Sequence, residues 1–451
     1  MKGRCKVHTK LLSYYLFLLI SVIFSTIELA GKTGTSYATN LSRYGTGLTQ
    51  ELNLINNTVY NLGSDSTKYG GPITNGRWDN LNLAFHYHIP TDIVDSSESA
   101  NGGTVTCVNS MAQVASGTNT TGTAVLKTKM ATQYFAGHEL ESTFSACFTT
   151  GVANSTQWIG TFDNSDGFAI GYNGTQFSVL HRNALDTIST NTIIAAANFN
   201  LDRLDGTGPS TIILDPTKLN IYRITYGWLG AAPITFSILR NDGKWFDFHV
   251  IKRPNSSTIP SLSNPSLPIR SEVKKTAGTD NLIISSGSWN QAVTCHIYQP
   301  LVRTFQHDIL DKPIDKDSNI PVFSIRNNIT FNGKNNRGTI KLVFTTFTLN
   351  TATSQMATFK LIKNATLIST DWQAVDTNSI ASYNDTQTAL VTTGITQLTT
   401  FAIGRDTASQ FLAANNYSVT LLPGETITVT VTTQHTNQNV FASLVWQEMV
   451  P

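Results

Sequence analysis

The sequence predicts an all-β fold, and three features predict it. Apolar side chains recur at every second position through most of the chain beyond residue 100. Asp-Gly and Asn-Gly pairs stand between those runs, and Thr, Ser, Asn and Gly are abundant while charged residues make up only 13% of the chain. Period-two alternation sends one row of side chains into a core and the next into water. Gly in the pairs accepts the positive φ of a tight hairpin, and Thr suits a pleated strand better than a helix. A chain of 451 residues exceeds one ordinary core, so two or three domains are expected. A formal net charge of +2 supplies no long-range field to recruit nucleic acid, which excludes that partner class.

Residues 1–30 read as a signal peptide or membrane anchor. Lys2, Arg4, Lys6 and Lys10 precede the apolar run 11–24, the order in which such leaders are written. The run is near the short limit for a helical span. A cut after Ala30 puts Glu28 at the third position back and one after Ser25 puts Ile23 there, so neither meets the small-residue rule. A retained hydrophobic helix and a cleaved leader both stay open. Residues 31–100 read as an irregular stalk or collar, with Gly and Asn clustered near Tyr69 and a single apolar stretch at 81–89.

Residues 101–310 predict a β-sandwich. Leu140, Phe144, Ala146 and Phe148 share one strand face, with Glu139, Glu141, Thr143 and Ser145 on the other. The same alternation returns at Phe168, Ile170 and Tyr172, at Tyr222, Ile224 and Tyr226, and at Ile234, Phe236 and Ile238. Asp166-Gly167, Asn173-Gly174 and Asp242-Gly243 are hairpin dipeptides. Strands of this number bury their faces only by closing into stacked sheets. Little beyond a helical turn is expected, at 194–197.

Residues 311–320 concentrate Asp311, Lys312, Pro313, Asp315, Lys316 and Asp317, with Pro321 just beyond, and read as a linker. Residues 321–451 predict a second, smaller sandwich. Ile427, Val429 and Val431 face a core there, and Thr426, Thr428, Thr430 and Thr432 line the opposite, solvated side. No heptad or collagen repeat encodes a shaft, so any homo-oligomer must arise from the globular modules.

Cysteine use is sparse. Cys5 lies in the leader, and Cys107, Cys147 and Cys295 form no short-spaced zinc motif. A Cys107–Cys147 disulfide is the first pairing to consider, because both fall on what read as neighbouring strands; free thiols are the rival reading. Asn40, Asn56, Asn119, Asn154, Asn173, Asn255, Asn328, Asn364, Asn384 and Asn416 each head an N-x-S/T triplet that permits glycosylation without arguing for it.

Four constellations carry chemistry. Glu139 and Glu141 share a strand face, as glycosidase carboxylates do, but the series stops after two, and solvated edge charges explain it better. Asp163 and Asp166 lie in an oxygen-rich, Gly-terminated turn suited to calcium, the one cofactor considered, although the distal acid of a full loop is missing. His86 and His88 fall on one strand face, a geometry able to chelate zinc or copper, although no third ligand lies nearby in sequence. Trp158, Tyr172, Trp228 and Trp245 offer flat faces for stacking on sugars, each with a core role as the alternative. No nucleophile elbow or phosphate loop is present, and no catalytic residue is assigned.

The strings Gln133 to Glu139, Phe148-Thr149-Thr150-Gly151, Asp166-Gly167-Phe168, Leu180-His181-Arg182 and Tyr226 to Gly230 resemble a module of uncharacterised structural proteins from giant DNA viruses and tailed phages. Phe323 to Asn327, Phe331 to Lys334 and Leu422 to Glu425 resemble a companion module. The resemblance implies a concanavalin- or lectin-like sandwich followed by a smaller, jelly-roll-like one, in a non-enzymatic virion or envelope protein serving assembly or attachment. Its partners would be other virion proteins or host-surface glycans. The leader adds a membrane, with the body on the non-cytoplasmic side. A secreted or anchored carbohydrate-binding protein and a glycan hydrolase on a sandwich fold are the alternatives.

Overall fold

The computed structural model describes residues 78–186, 190–294, 302–350, 355–369, 371–404, 407–411 and 419–449, and these fold as two consecutive β-sandwiches. The leader, the first part of the expected stalk, Cys5, Cys295, Asn40, Asn56 and Asn416 lie outside the described residues. Among the described residues no helix is long and apolar enough to cross a membrane.

The first sandwich comprises β1 (Trp78–Ala84), β2 (Val94–Asp95), β3 (Thr104–Val108), β4 (Met111–Ala115), β5 (Thr123–Thr128), β6 (Glu139–Phe148), β7 (Ser155–Phe162) and β8 (Gly167–Asn173). It continues with β9 (Gln176–Arg182), β10 (Asn191–Ala195), β11 (Asn220–Gly227), β12 (Ile234–Leu239), β13 (Trp245–Ile251), β14 (Ile269–Lys275), β15 (Ile283–Ser286) and β16 (Ser288–Thr294). A nine-stranded sheet runs β13-β12-β11-β6-β15-β4-β3, with β16 also on β6 and β1 on β16; a seven-stranded sheet runs β10-β9-β8-β7-β14-β5-β2. The expected helical turn is a 3-10 turn over Ala196–Asn198.

The alternation read from the sequence builds the core between these sheets. Phe144, Tyr222, Ile224 and Phe236 from one sheet meet Ile159 and Ile170 from the other, all fully or almost fully buried. Full burial of such a side chain is worth about 1.5–3 kcal/mol. One polar bridge crosses the core: Gln291 Nε2 donates to Ser142 Oγ at 3.3 Å, Thr161 Oγ1 at 3.2 Å and the Leu267 carbonyl at 3.1 Å. Buried polar groups persist where they find such partners.

The second sandwich comprises β17 (Arg303–Ile314), β18 (Asp317–Asn327), β19 (Thr330–Phe331), β20 (Lys334–Asn335), β21 (Thr339–Asn350), β22 (Met356–Lys363) and β23 (Gln373–Ala374). Then follow β24 (Ala381–Asn384), β25 (Ile395–Ile403), β26 (Thr407–Phe411), β27 (Thr420–Leu421), β28 (Thr426–Thr433) and β29 (Gln438–Met449). Its sheets run β17-β29-β21-β26, with β27 on β21, and β23-β24-β18-β28-β22-β25, while β19 and β20 form a separate small hairpin. Trp446, fully buried, donates through Nε1 to Glu448 at 2.9 Å, and Glu448 also accepts from Ser379 Oγ at 2.6 Å and the Ile380 N–H at 2.9 Å. The carboxylate is thereby satisfied inside the sandwich.

The expected boundaries move. Residues 311–320 are no linker, because they end β17, turn, and begin β18 within the second sandwich. β17 lies at a sheet edge, where charge and proline are tolerated and discourage further pairing; that edge composition imitates a linker. Residues 78–100 belong to the first sandwich rather than to a stalk, since β1 pairs with β16. The Thr face of β28 is not solvated either. β28 lies between β18 and β22, Thr428 and Thr430 are fully buried, and Thr428 Oγ1 meets Ser324 Oγ at 2.9 Å.

Candidate functional site

β14 sits between β7 and β5 in the seven-stranded sheet. Alternation along it turns Ile269 and Val273 into the main core and leaves Arg270, Glu272 and Lys274 on the outer face. That face carries its own apolar cluster, Trp158, Phe162, Ala169 and Leu180, contributed by β7, β8 and β9. Two guanidinium groups cover Phe162: Arg182 at 5.4 Å and Arg270 at 5.6 Å from the ring centre. Cations over an aromatic face are attracted by its quadrupole, so the ring helps to hold the two arginines in place on the outer face.

The same two arginines line an open trough of about 340 Å³. Its polar lining includes Arg182, Arg270, Lys274, Glu98, Glu272, Asn164 and Asn191. Arg270, only 3% exposed, pairs with Glu98 at 2.8 Å and with Glu272 on its own strand. Glu98 also receives Lys127. Burial pushes the Glu98 carboxyl up, but Lys127 and Arg270 outweigh it and hold the group below the usual carboxylate range. Arg182 donates through Nε to Asn191 Oδ1 at 2.9 Å and through Nη1 to the Asp163 carbonyl. The result is a rigid surface of fixed donors and acceptors, suited to hydroxyl-rich ligands.

The residues singled out in the sequence scatter around this trough. Trp158 is 3% exposed within the outer-face apolar cluster, and Tyr172 packs edge-on against Phe148 in the main core. Neither ring has a free face for a sugar. Trp245 is half-buried, with the Arg223 guanidinium 4.4 Å above its ring. Trp228, 50% exposed on the loop after β11, presents its ring to solvent.

Asp163 and Asp166 do not form a calcium site. Asp166, 1% exposed, accepts from the N–H groups of Ala184, Ser263 and Asn264 and from Ser263 Oγ. Asp163 Oδ1 accepts from the N–H groups of Ser165 at 2.7 Å and Asp166 at 2.9 Å, and Oδ2 takes Arg337 at 2.6 Å. Protein donors thus occupy the oxygens a cation needs. Among the described residues no group of three or more His, Cys, Asp or Glu is arranged to hold a metal. His86 and His88 follow the end of β1 in an exposed bend rather than sharing a strand face.

Glu139 and Glu141 are not solvated edge charges. They are 6% and 7% exposed on β6, an interior strand, where Arg223 Nη1 lies 3.8 Å from Glu141 and Thr143 Oγ1 donates to it at 3.1 Å. They belong to the nine-stranded sheet, away from the trough. Cys107 and Cys147 are both free. β15 and β4 separate their strands, and three strand spacings of about 4.8 Å exceed the reach of a disulfide. Asn119, Asn154, Asn173, Asn255 and Asn364 are exposed and Asn328 is half-buried, but Asn384 is 1% exposed, with Nδ2 donating to the Ser369 carbonyl, so its sequon is closed in the folded chain.

Glu98, Arg270 and Glu272 escaped the sequence reading, and Arg182 entered it only within a resembling string. A signal was present: Arg270, Glu272 and Lys274 put three charges on one face of a strand whose other face is apolar.

A scan against protein-family models found no match, and a search of curated proteins found none. Solved structures with partial likeness include a chain described with the endo-acting O-glycanases that prominent human gut microbiota express to initiate mucin breakdown. It has 12% identity and a TM-score of 0.34, covering 48% of this chain and 98% of that one. The lectin UEA-II complexed with galactose gives 12% and 0.30 over 48% and 99%. A legume lectin-like domain from Entamoeba histolytica gives 11% and 0.28 over 46% and 95%. At such scores the likeness adds nothing to what the geometry of the trough itself says.

Proposed function

We propose that the chain is a non-enzymatic attachment protein whose first, lectin-like sandwich binds glycans in the outer-face trough, with the jelly-roll-like second sandwich as its companion. The observation that carries this reading is the trough: an open surface of immobilised arginine, carboxylate and amide groups, its two arginines seated on the buried Phe162 ring. Open grooves with fixed polar groups suit sugar hydroxyls, which need donors and acceptors side by side. A hydrolase would need a carboxylic acid whose pKa is raised so that it can protonate the leaving oxygen. Glu98 is held in the opposite direction by Lys127 and Arg270, which supports binding without turnover. A place on a virus particle or envelope, implied by the resemblance, belongs to the same proposal, and several copies there would multiply weak contacts.

A glycan array probed with the full chain tests it, alongside Arg182→Ala and Glu272→Gln variants whose folding is checked by circular dichroism. Selective retention that both variants weaken is the expected result. Retention unaffected by either variant, or release of reducing sugar, contradicts it. Proteomics of purified particles tests the setting: the chain co-purifies with them, or that setting is wrong.

A further inference from the structure

A second cleft, of about 770 Å³, opens between the two sandwiches. It shares Glu98, Asn164 and Arg270 with the trough, so the two depressions form one continuous path. Lys129 and Met130 line it from the first sandwich, Asn335, Asn364 and Thr426 from the second. Contacts between the modules hold its shape. Arg337 pairs with Asp163 at 2.6 Å, and Asn264 Nδ2 donates to the Asn335 carbonyl at 3.3 Å. Each depression falls within the range of about 300–1,000 Å³ typical of ligand sites.

We infer that this cleft extends the glycan site, so that a single neutral polysaccharide chain is held by both sandwiches at once. The inference rests on the glycan reading of the trough and adds the second module, the ligand's length and its lack of charge. The charges along the path set the last point. Its cations are Lys127, Lys129, Arg182, Arg270, Lys274 and Arg337; its carboxylates are Asp95, Glu98, Asp163, Glu272 and Glu425. Each carboxylate has a cation within 4 Å: Lys127 serves Asp95 and Glu98, Arg270 serves Glu272, Arg337 serves Asp163, and Lys363 serves Glu425. With Lys363 the path counts seven cations against five carboxylates, a surplus of two spread along both depressions, which is a weak field for a sulfated or uronic chain, and the carboxylate oxygens offer such a chain's anions no hydrogen bond. Hydroxyls, by contrast, use both signs, and the exposed side chains of Asn164 and Asn335 supply amides that both donate and accept.

The test is titration calorimetry of the full chain with short and long members of neutral cello-, chito- and mannan-oligosaccharide series, and with heparin fragments as the charged comparison. Lys129→Ala and Asn335→Ala alter exposed residues of the cleft and leave the trough intact. Affinity that rises with length in one neutral series, with each variant removing about 2–10-fold from long members and nothing from short ones, is the expected outcome. Short and long members binding equally, with both variants silent, overturns the extended site while leaving the trough reading in place. Tighter binding of heparin than of every neutral series overturns the neutral ligand. Absence of binding by every probe overturns both readings.

Discussion

Arg337, on the second sandwich, donates to the Asp163 carboxylate of the first at 2.6 Å, and both side chains are largely shielded from water. Removing the guanidinium leaves a buried carboxylate with only backbone partners. Arg337→Ala is expected to cost about 1–2 kcal/mol, below the full buried-pair value because Arg337 is partly exposed. Scanning calorimetry should then resolve two transitions where the wild type shows a more concerted one. Burial pushes the Asp163 carboxyl up, but the Asp166 and Ser165 N–H groups together with Arg337 hold it below its ordinary 3.8. A depressed folded-state pKa gives stability that is present above the unfolded value and lost as pH falls through the folded one. The difference between wild type and Arg337→Ala should therefore persist at neutral pH and shrink below pH 3.8.

Asp166 ties the β7–β8 turn to Ser263 and Asn264 in the loop before β14 and to Ala184 through four accepted hydrogen bonds. Asp166→Ala strands those donors and is expected to lower stability by about 3 kcal/mol, read as a shift in the urea midpoint. Since the same oxygens are unavailable to a cation, millimolar calcium should leave the wild-type Tm unchanged. A calcium-dependent rise would restore the ion-site reading.

His249 packs between Phe199 and Phe236, with ring centres at 5.4 and 6.0 Å, and its Nδ1 accepts the Asn200 N–H at 3.3 Å. Burial pushes its imidazole down to about 4 from 6.5. In that interval the unfolded chain binds a proton that the folded chain refuses, so stability falls as pH drops from 6.5 towards 4. His249→Leu should flatten this slope in denaturant midpoints measured at pH 7 and pH 5. An unchanged slope would assign the acid sensitivity elsewhere.

Peptide mapping of chain made in a secretory host checks two further placements. No peptide should link Cys107 to Cys147, and Asn384 should carry no glycan even where exposed sequons such as Asn154 are occupied. A cross-linked 107–147 peptide would require the strand order β6-β15-β4-β3 to be wrong.

Alternation made the strands legible: the apolar row of β6 and the Ile427, Val429 and Val431 row of β28 bury as read. Period two names the faces of a strand but not its neighbours. Cys107 and Cys147 therefore looked adjacent while two strands lie between them, and the Thr row of β28 looked wet while flanking strands cover it. Composition misled at residues 311–320, where the end of an edge strand and the turn that leads to the opposite sheet carry the charge and proline of a linker. The trough was hidden for a related reason. Arg182 and Arg270 are far apart in the chain, and only the order β9-β8-β7-β14-β5-β2 puts their strands in one sheet, with Glu98 in the turn after β2.

The most direct measurement is a crystal structure of the full chain with a neutral oligosaccharide that binds it in solution. Sugar density in the trough, with hydroxyls contacting Arg182, Arg270 and Glu272, is the predicted result. Density confined to the exposed Trp228 loop, or a trough left empty by a ligand bound elsewhere, would contradict it.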